Sequence, residues 1–209
     1  MATKITGTVS GEPLIEYEVG GVFVPWKQGI QNWATVTAVT GSPTSGSYTD
    51  ADGVEWTYYK WTSSGSVTVT AGNIDALIVG GGGGCGPNGT SSGGRINYGI
   101  LSLTSDTHTV TVGAGGAASN YASGRWSGLG PHIVGDIKGL NGSGSGEVGG
   151  GSSTDFGIAS SITGSSVNYG VKDATGNLVA NTGSTSVSLS VAGTAGVVII
   201  RVPSTFAQA

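Results

Sequence analysis

The side chains best suited to acid–base chemistry are carboxylates, and they are scattered along the chain. Two carboxylates within several ångströms of each other could cleave a glycosidic bond, one as the acid and the other as the base or nucleophile. Their spacing singles out no pair, so an envelope-glycan depolymerase stays an alternative function. The carboxylates concerned are Asp50, Asp52, Glu55, Asp106, Asp136, Glu147, Asp155 and Asp173.

The two histidines and a short acidic turn do not form a metal or nucleophile motif. His108 lies between threonines in an alternating pattern, His132 follows a proline, and neither has a metal-spaced partner nearby. The residues Asp50-Ala-Asp-Gly53 begin like a calcium loop, but Trp61 stands where that loop needs its closing glutamate. We therefore predict no metal site and interpret the acidic turn as the tip of a hairpin.

Glycines after an apolar run formally match a dinucleotide-binding fingerprint, at Gly81, Gly83 and Gly86. That fingerprint works only where a helix follows and directs its N-terminal amides at the pyrophosphate. Residues 87–94 read Pro-Asn-Gly-Thr-Ser-Ser-Gly-Gly, which cannot begin a stable helix. We therefore predict no cofactor, and we expect a binding or structural protein and not an enzyme.

Aromatic rings in glycine-rich sequence are the better candidates for binding. A ring presented on small residues can stack on a sugar while neighbouring hydroxyl and amide groups supply hydrogen bonds. The alternative is that such rings fill a local gap in the packing. The candidate receptor-binding residues are Tyr121, Trp126 and His132.

The composition of the chain limits the class of protein and the partners that can be expected. Charged residues are only 10% of the chain, and 41 of the 209 residues are glycine, whereas ordinary soluble domains carry about 25% charged residues. The net charge of −4, without any run of Lys or Arg, argues against a nucleic-acid partner. The longest apolar runs are far too short to span a bilayer, so we expect no membrane insertion.

Alternating and apolar runs predict strands, and no stretch has a helical period with caps, so we expect an all-β fold with almost no α-helix. Residues 14–26 predict a hairpin around two glycines, and residues 48–61 predict a second hairpin. The nearly continuous apolar run at 74–79 predicts a central strand covered on both faces. Further strands are predicted at 34–39, 66–70, 107–112, 166–171, 186–191 and 196–202.

Five consecutive glycines, residues 80–84, follow the predicted central strand, and glycine stays frequent as far as Gly164. Glycine loses more backbone entropy on ordering than any other residue, so order here requires sharp turns or close packing of backbones. Extended polyglycine-type segments and irregular loops layered on a β core both satisfy this requirement. The expected organisation is a small N-terminal β region (1–62) followed by a β-sandwich-like, glycine-rich domain (63–209).

Several segments stand in a fixed order along the chain. They read WTSSGSVTV at 61–69, IDALIVGGGGG at 74–84, TVTVGAGG at 109–116, SSITGSSVNY at 160–169 and GVVIIRVP at 196–203. Together they resemble the glycine-rich domain of bacteriophage minor tail and tail-fibre proteins. The residues ITGTV at 5–9 and GGVFVP at 20–25 also resemble the opening of small tail proteins from phages of actinobacteria. Residues 171–180 depart from the pattern, because family members often have a second long polyglycine tract there.

The resemblance implies a virion component at the tail tip or fibre, assembled in the host cytoplasm with other tail proteins. It also implies a contribution to host-surface recognition, with a surface glycan as the partner, and it carries over no catalytic residue. Tail fibres imply a homotrimer, which would also cover exposed strand edges. A purely structural tail subunit without receptor contact is the alternative.

Overall fold

The computed structural model describes residues 3–9, 12–19, 22–26, 32–84, 93–118, 122–134, 158–170, 181–184 and 192–204. These residues form strands, turns and extended segments and no helix, which confirms the predicted all-β fold. No helix in this part of the chain could therefore cross a membrane. The chain divides into two compact units, Met1–Asn32 and Trp33–Ala209.

The first unit is a three-stranded antiparallel sheet. Its strands are β1 (Thr3–Val9), β2 (Glu12–Val19) and β3 (Val22–Trp26), in the order β1-β2-β3. Val19 lies opposite Val22 across the β2–β3 pair, so only two residues connect these strands. This confirms the predicted hairpin, since two glycines readily supply the backbone angles of a two-residue turn.

The second unit contains two five-stranded antiparallel sheets and one two-stranded hairpin. Their strands are β4 (Val36–Thr40), β5 (Thr44–Thr49), β6 (Glu55–Trp61), β7 (Gly65–Val69), β8 (Gly72–Val79), β9 (Ile96–Leu103), β10 (Asp106–Thr111), β11 (Ser127–Leu129), β12 (His132–Val134), β13 (Ile158–Ser160), β14 (Val167–Tyr169) and β15 (Val197–Pro203).

We call the sheet with the order β5-β6-β15-β8-β9 the central sheet and the sheet with the order β12-β11-β10-β7-β4 the outer sheet. The pair β13-β14 is the small hairpin. The predicted 48–61 hairpin corresponds to β5 and β6, and the other strands predicted outside residues 186–191 are present with shifted ends. The strand predicted at 186–191 lies outside the described residues.

The central sheet buries both of its faces. Successive residues of a strand point to opposite faces, so Ile78 faces a core shared with Val67 and Val110 of the outer sheet. Leu77 faces the second core, which it shares with Tyr169 of the small hairpin. All five of these side chains are almost fully buried. The prediction of a central strand covered on both sides is therefore confirmed, and the central and outer sheets form the expected sandwich.

The unit boundary differs from the one expected after residue 62. Strand β6 pairs with β15, with Trp61 opposite Val198, and β4 pairs with β7. Residues 33–62 therefore belong to the same unit as the glycine-rich sequence, and the N-terminal unit ends at Asn32. Local composition misplaced the boundary because strand pairing across so long a separation in the chain leaves no local signal.

Candidate functional site

Beyond β8, the backbone enters a hydrogen-bonded array of glycines, which we call the glycine lattice (residues 80–84, 93–95, 113–116, 122–125, 181–184 and 192–196). In a β-sheet, the backbone hydrogen bonds of a strand lie in one plane. Here successive backbone amides donate in different directions, each to a different segment. A backbone with three residues per turn directs its amides in this way. Three successive backbone amides donate hydrogen bonds to carbonyl oxygens of three different segments. The bonds run from Gly80 to Arg95 (2.8 Å), from Gly81 to Arg125 (2.9 Å) and from Gly82 to Thr194 (3.0 Å).

The lattice repeats every three residues. Gly84 donates to the carbonyl of Ala122 (2.8 Å), three residues along from the Gly81–Arg125 bond on both segments. A second pair of segments repeats in the same way, with Gly196 donating to Gly113 (2.9 Å) and Gly193 to Gly116 (3.0 Å). Of the two arrangements expected for ordered glycine-rich sequence, the described residues therefore adopt the polyglycine type. Residues 135–157 lie outside the described part of the chain.

The lattice joins the two sheets of the sandwich by their backbones. Gly196 leads into β15 of the central sheet, and Gly113 follows β10 of the outer sheet, yet the two are directly hydrogen-bonded. Packed sheets normally lie about 10 Å apart because side chains fill the space between them. The contact is possible here because these residues have no side chains.

Steric contacts explain why these positions are glycine. At twelve of the lattice glycines a Cβ would come within 3.0 Å of a backbone atom of another segment, closer than real Cβ atoms approach. Gly80 is an exception, since its nearest such atom would be 3.6 Å away. The positions with the close contact are Gly81, Gly82, Gly84, Gly93, Gly94, Gly113, Gly115, Gly116, Gly124, Gly183, Gly193 and Gly196.

Ser127 stands where the sandwich ends and the lattice begins. Its buried hydroxyl donates to the carbonyl of Val79 (2.7 Å) and accepts from the amide of Gly113 (2.9 Å). The hydroxyl thus satisfies one backbone group at the end of β8 and another two residues beyond β10. Sequence reasoning missed this residue, because a serine at the start of a short strand gives no local signal of such a role.

Trp126 is presented to solvent beside the lattice. Its side chain is 39% exposed, one of four large apolar side chains exposed among the described residues. The preceding carbonyl, of Arg125, accepts from Gly81, and the following residue, Ser127, is anchored as described. The backbone on both sides of this ring is therefore fixed, which suits a side chain that recognises another molecule.

The other two predicted receptor-binding residues do not join Trp126 in a described patch. His132 lies directly opposite the buried Leu129 in the β11–β12 pair, so both side chains point to the same face. His132 is half-buried, and its Nε2 is buried without a hydrogen-bond partner among the described residues. The Nε2 edge of its ring therefore faces inwards. Tyr121 lies outside the described residues.

A cluster around Arg201 was not predicted. Its Nε and Nη2 lie 2.7 Å from Oδ2 of Asp75, and its Nη1 donates to the hydroxyl of Tyr48. The guanidinium carbon lies 4.2 Å from the centre of the Trp56 ring, a cation–π contact. Burial acts to lower the pKa of Arg201, but Asp75 and Tyr48 outweigh it and raise that pKa.

This cluster attaches the small hairpin to the central sheet. The Tyr48 hydroxyl lies 3.2 Å from the carbonyl oxygens of Ser161 and Ile162, which belong to the connection between β13 and β14. Arg201 and Asp75 are already each other's partners, and the Trp56 ring is covered by the guanidinium. The cluster therefore positions structural elements, and its polar groups are committed to one another.

The acidic turn closes its own hairpin. The Asp50 carboxylate accepts from the amides of Asp52 and Val54 (both 2.9 Å) and from the indole N–H of Trp56 (2.8 Å). Desolvation acts to raise the pKa of Asp50, but the indole and amide hydrogen bonds prevail and lower it. This geometry agrees with the interpretation of the turn as a hairpin tip.

The remaining candidate groups form no metal centre in the described residues. No group of three or more His, Cys, Asp or Glu side chains in that part of the chain could hold a metal ion. Asp106 accepts from the amide of Thr107 (2.7 Å). Asp136, Glu147, Asp155 and Asp173 lie outside it. The arrangement that the structure does offer is an exposed tryptophan on a rigid backbone.

Comparison of the chain with protein-family models, with curated proteins and with solved structures gives no match. The geometry of the glycine lattice and the surface that it presents therefore carry the functional argument.

Proposed function

We propose that the protein is a minor tail component of a bacteriophage virion and helps to recognise the surface of the host cell. The observation that carries the proposal is the three-residue hydrogen-bond repeat of the glycine lattice. Segments 74–84, 109–116 and 196–203, on which the resemblance to tail proteins rests, each contribute residues to this lattice. The glycine-rich signature of that family thus has a definite structural role in this chain.

The lattice supports recognition by holding a surface in place without disulfides. Binding loses less conformational entropy when the contact residues are fixed beforehand. Trp126 is exposed and stands between two anchored backbone positions. An indole ring in this setting suits stacking on a sugar of an envelope glycan, and several copies in one virion would add avidity to weak individual contacts.

The test is binding of the purified full-length protein to whole cells and isolated cell walls of candidate actinobacterial hosts. We expect saturable binding that Trp126→Ala weakens by about tenfold or more in Kd, as for a central aromatic contact. The Kd of Trp126→Phe should lie between those of the wild type and Trp126→Ala, because phenylalanine keeps an aromatic ring. Val39→Ala is the matched control, since Val39 is 37% exposed and lies on β4, outside the lattice. Binding that Trp126→Ala leaves unchanged would contradict the assignment of this surface.

A purely structural tail subunit is the second candidate function, and the edge of the central sheet at β9, with which only β8 pairs among the described strands, favours it. A structural subunit would bind no host cell while remaining folded and associated. The same samples address the depolymerase alternative, because an enzyme would release soluble reducing sugar from the cell walls over time. These three outcomes are distinct.

A further inference from the structure

Strand β9 forms a long, apolar edge of the central sheet. Its eight residues read Ile-Asn-Tyr-Gly-Ile-Leu-Ser-Leu and contain no charged residue and no proline. Tyr98 is 56% exposed and Ile100 is 46% exposed, the highest values among the exposed large apolar side chains of the described residues. One side of β9 pairs with β8, and no described strand pairs with its other side.

The other edges of the two large sheets are less suited to pairing. Strand β5 reads Thr-Ser-Gly-Ser-Tyr-Thr and is mostly polar. Strand β4 has a register shift between Val36 and Ala38, and β12 has only three residues. Charges, prolines, bulges and short length are the usual features that prevent an edge strand from pairing with another chain. Strand β9 has none of them, and its register with β8 is continuous from Gly72–Leu103 to Val79–Ile96.

We propose that β9 pairs with β9 of a second copy of this chain, antiparallel and about a twofold axis at Gly99. In this register Tyr98 lies opposite the partner's Ile100, and the twofold axis repeats the contact. The two side chains project from the same face of the strand, because they are two residues apart. An aromatic ring opposite a β-branched side chain is a favourable cross-strand pair.

The residues of β9 favour a second copy over a different partner. The strand is self-complementary in this register, since Tyr98 of each copy lies opposite Ile100 of the other copy. Gly99 has a φ of 131°, and a Cβ there would meet nothing within 4 Å, so the space beside the axis is open. The contact contains no charged group, so the association should depend little on salt. The inference is independent of host recognition and concerns assembly alone.

Sedimentation equilibrium of the full chain tests the proposal. We expect the wild type to be a dimer and Tyr98→Lys/Ile100→Lys to be a monomer with an unchanged circular dichroism spectrum. Val39→Lys places one lysine on an exposed position of another edge strand and should remain a dimer. A monomeric wild type at about 100 μM, or a dimer or trimer that survives both lysines, would overturn the proposal.

A cross-linking experiment tests the register itself, in a Cys85→Ser background. Tyr98→Cys/Ile100→Cys should form a covalent dimer on oxidation, because residues directly opposite in an antiparallel pair have Cα atoms about 5 Å apart. Neither single substitution should cross-link, since the same residue in two copies would lie more than about 7 Å apart. If the protein is a dimer but Tyr98→Cys/Ile100→Cys does not cross-link, this pairing is overturned. The result does not depend on whether β9 tolerates the lysine substitutions.

Discussion

The amide of Gly81 donates to the carbonyl oxygen of Arg125 across 2.9 Å. Gly81 continues β8 of the central sheet, whereas Arg125 leads into β11 of the outer sheet. Like the Gly196–Gly113 bond, this hydrogen bond directly connects two layers that side chains separate elsewhere in the sandwich. The polyglycine-type repeat extends this connection over several segments. The glycines here therefore form ordered structure that is hydrogen-bonded between the layers.

Substitution at two adjacent glycines should separate lattice packing from glycine content. A Cβ on Gly81 would overlap the carbonyl of Ala114, whereas the nearest foreign atom to a Cβ on Gly80 would be 3.6 Å away. We expect Gly81→Ala to lower the free energy of unfolding by about 3 kcal/mol or more. Gly80→Ala should change the free energy of unfolding by less than about 1 kcal/mol, because alanine also lowers the conformational entropy of the unfolded chain. Urea denaturation measures both, and equal effects would argue against the lattice.

The Arg201–Asp75 pair should couple strongly in a double-mutant cycle. Removing either partner leaves the other charge partly buried, with side chains only 23% and 18% exposed. We expect Arg201→Met and Asp75→Leu each to destabilise the fold by about 2 kcal/mol, less than a fully buried pair because of this exposure. The double variant should recover part of that loss. Simple additivity in urea denaturation would contradict the proposed role of the pair.

Tyr169 should make the fold sensitive to alkali. Burial raises the pKa of its hydroxyl to about 12, above the unfolded value of about 10. The folded state therefore keeps this proton where the unfolded state loses it, so stability is full below about pH 10 and falls as the pH rises through about 12. Tyr169→Phe should remove that contribution to the pH dependence, measured by urea denaturation between pH 9 and about 12.

The same substitution should not harm the fold at neutral pH. The Tyr169 hydroxyl is buried and has no hydrogen-bond partner among the described residues. An unsatisfied buried hydroxyl costs about 1–3 kcal/mol, so Tyr169→Phe should be neutral or stabilising at pH 7. A large loss of stability at pH 7 would contradict this expectation and show that the hydroxyl makes a stabilising hydrogen bond.

Local sequence patterns were sufficient for the strands and insufficient for their long-range partners. The apolar run at 74–79 predicted a doubly covered strand, and the central sheet buries it on both faces. The Arg201–Asp75 bond joins residues 126 positions apart, so no local pattern could reveal it. The unit boundary was misplaced for the same reason, because β6 pairs with β15, more than 130 residues further along the chain.

The candidate site was predictable in kind but not in orientation. Glycine content singled out Trp126 and His132, because few apolar neighbours surround them in the sequence. The β11–β12 register sets His132 beside the buried Leu129, whereas Trp126, just before β11, is exposed, and neither orientation has a local signal in the sequence. Ser127 was missed because its two backbone partners come from β8 and the segment after β10.

Native-state hydrogen exchange of the glycine amides tests the central claim most directly. Gly81, Gly82 and Gly84 donate to carbonyls of other segments at 2.8–3.0 Å, so their amides should exchange at least about a thousandfold more slowly than in an unstructured peptide. The amide of Gly53 makes only a local hydrogen bond, to the carbonyl of Asp50 (3.0 Å), in the exposed turn between β5 and β6. It should therefore exchange much faster than the lattice amides. Exchange of the three lattice amides at the rate of an unstructured peptide would contradict the account.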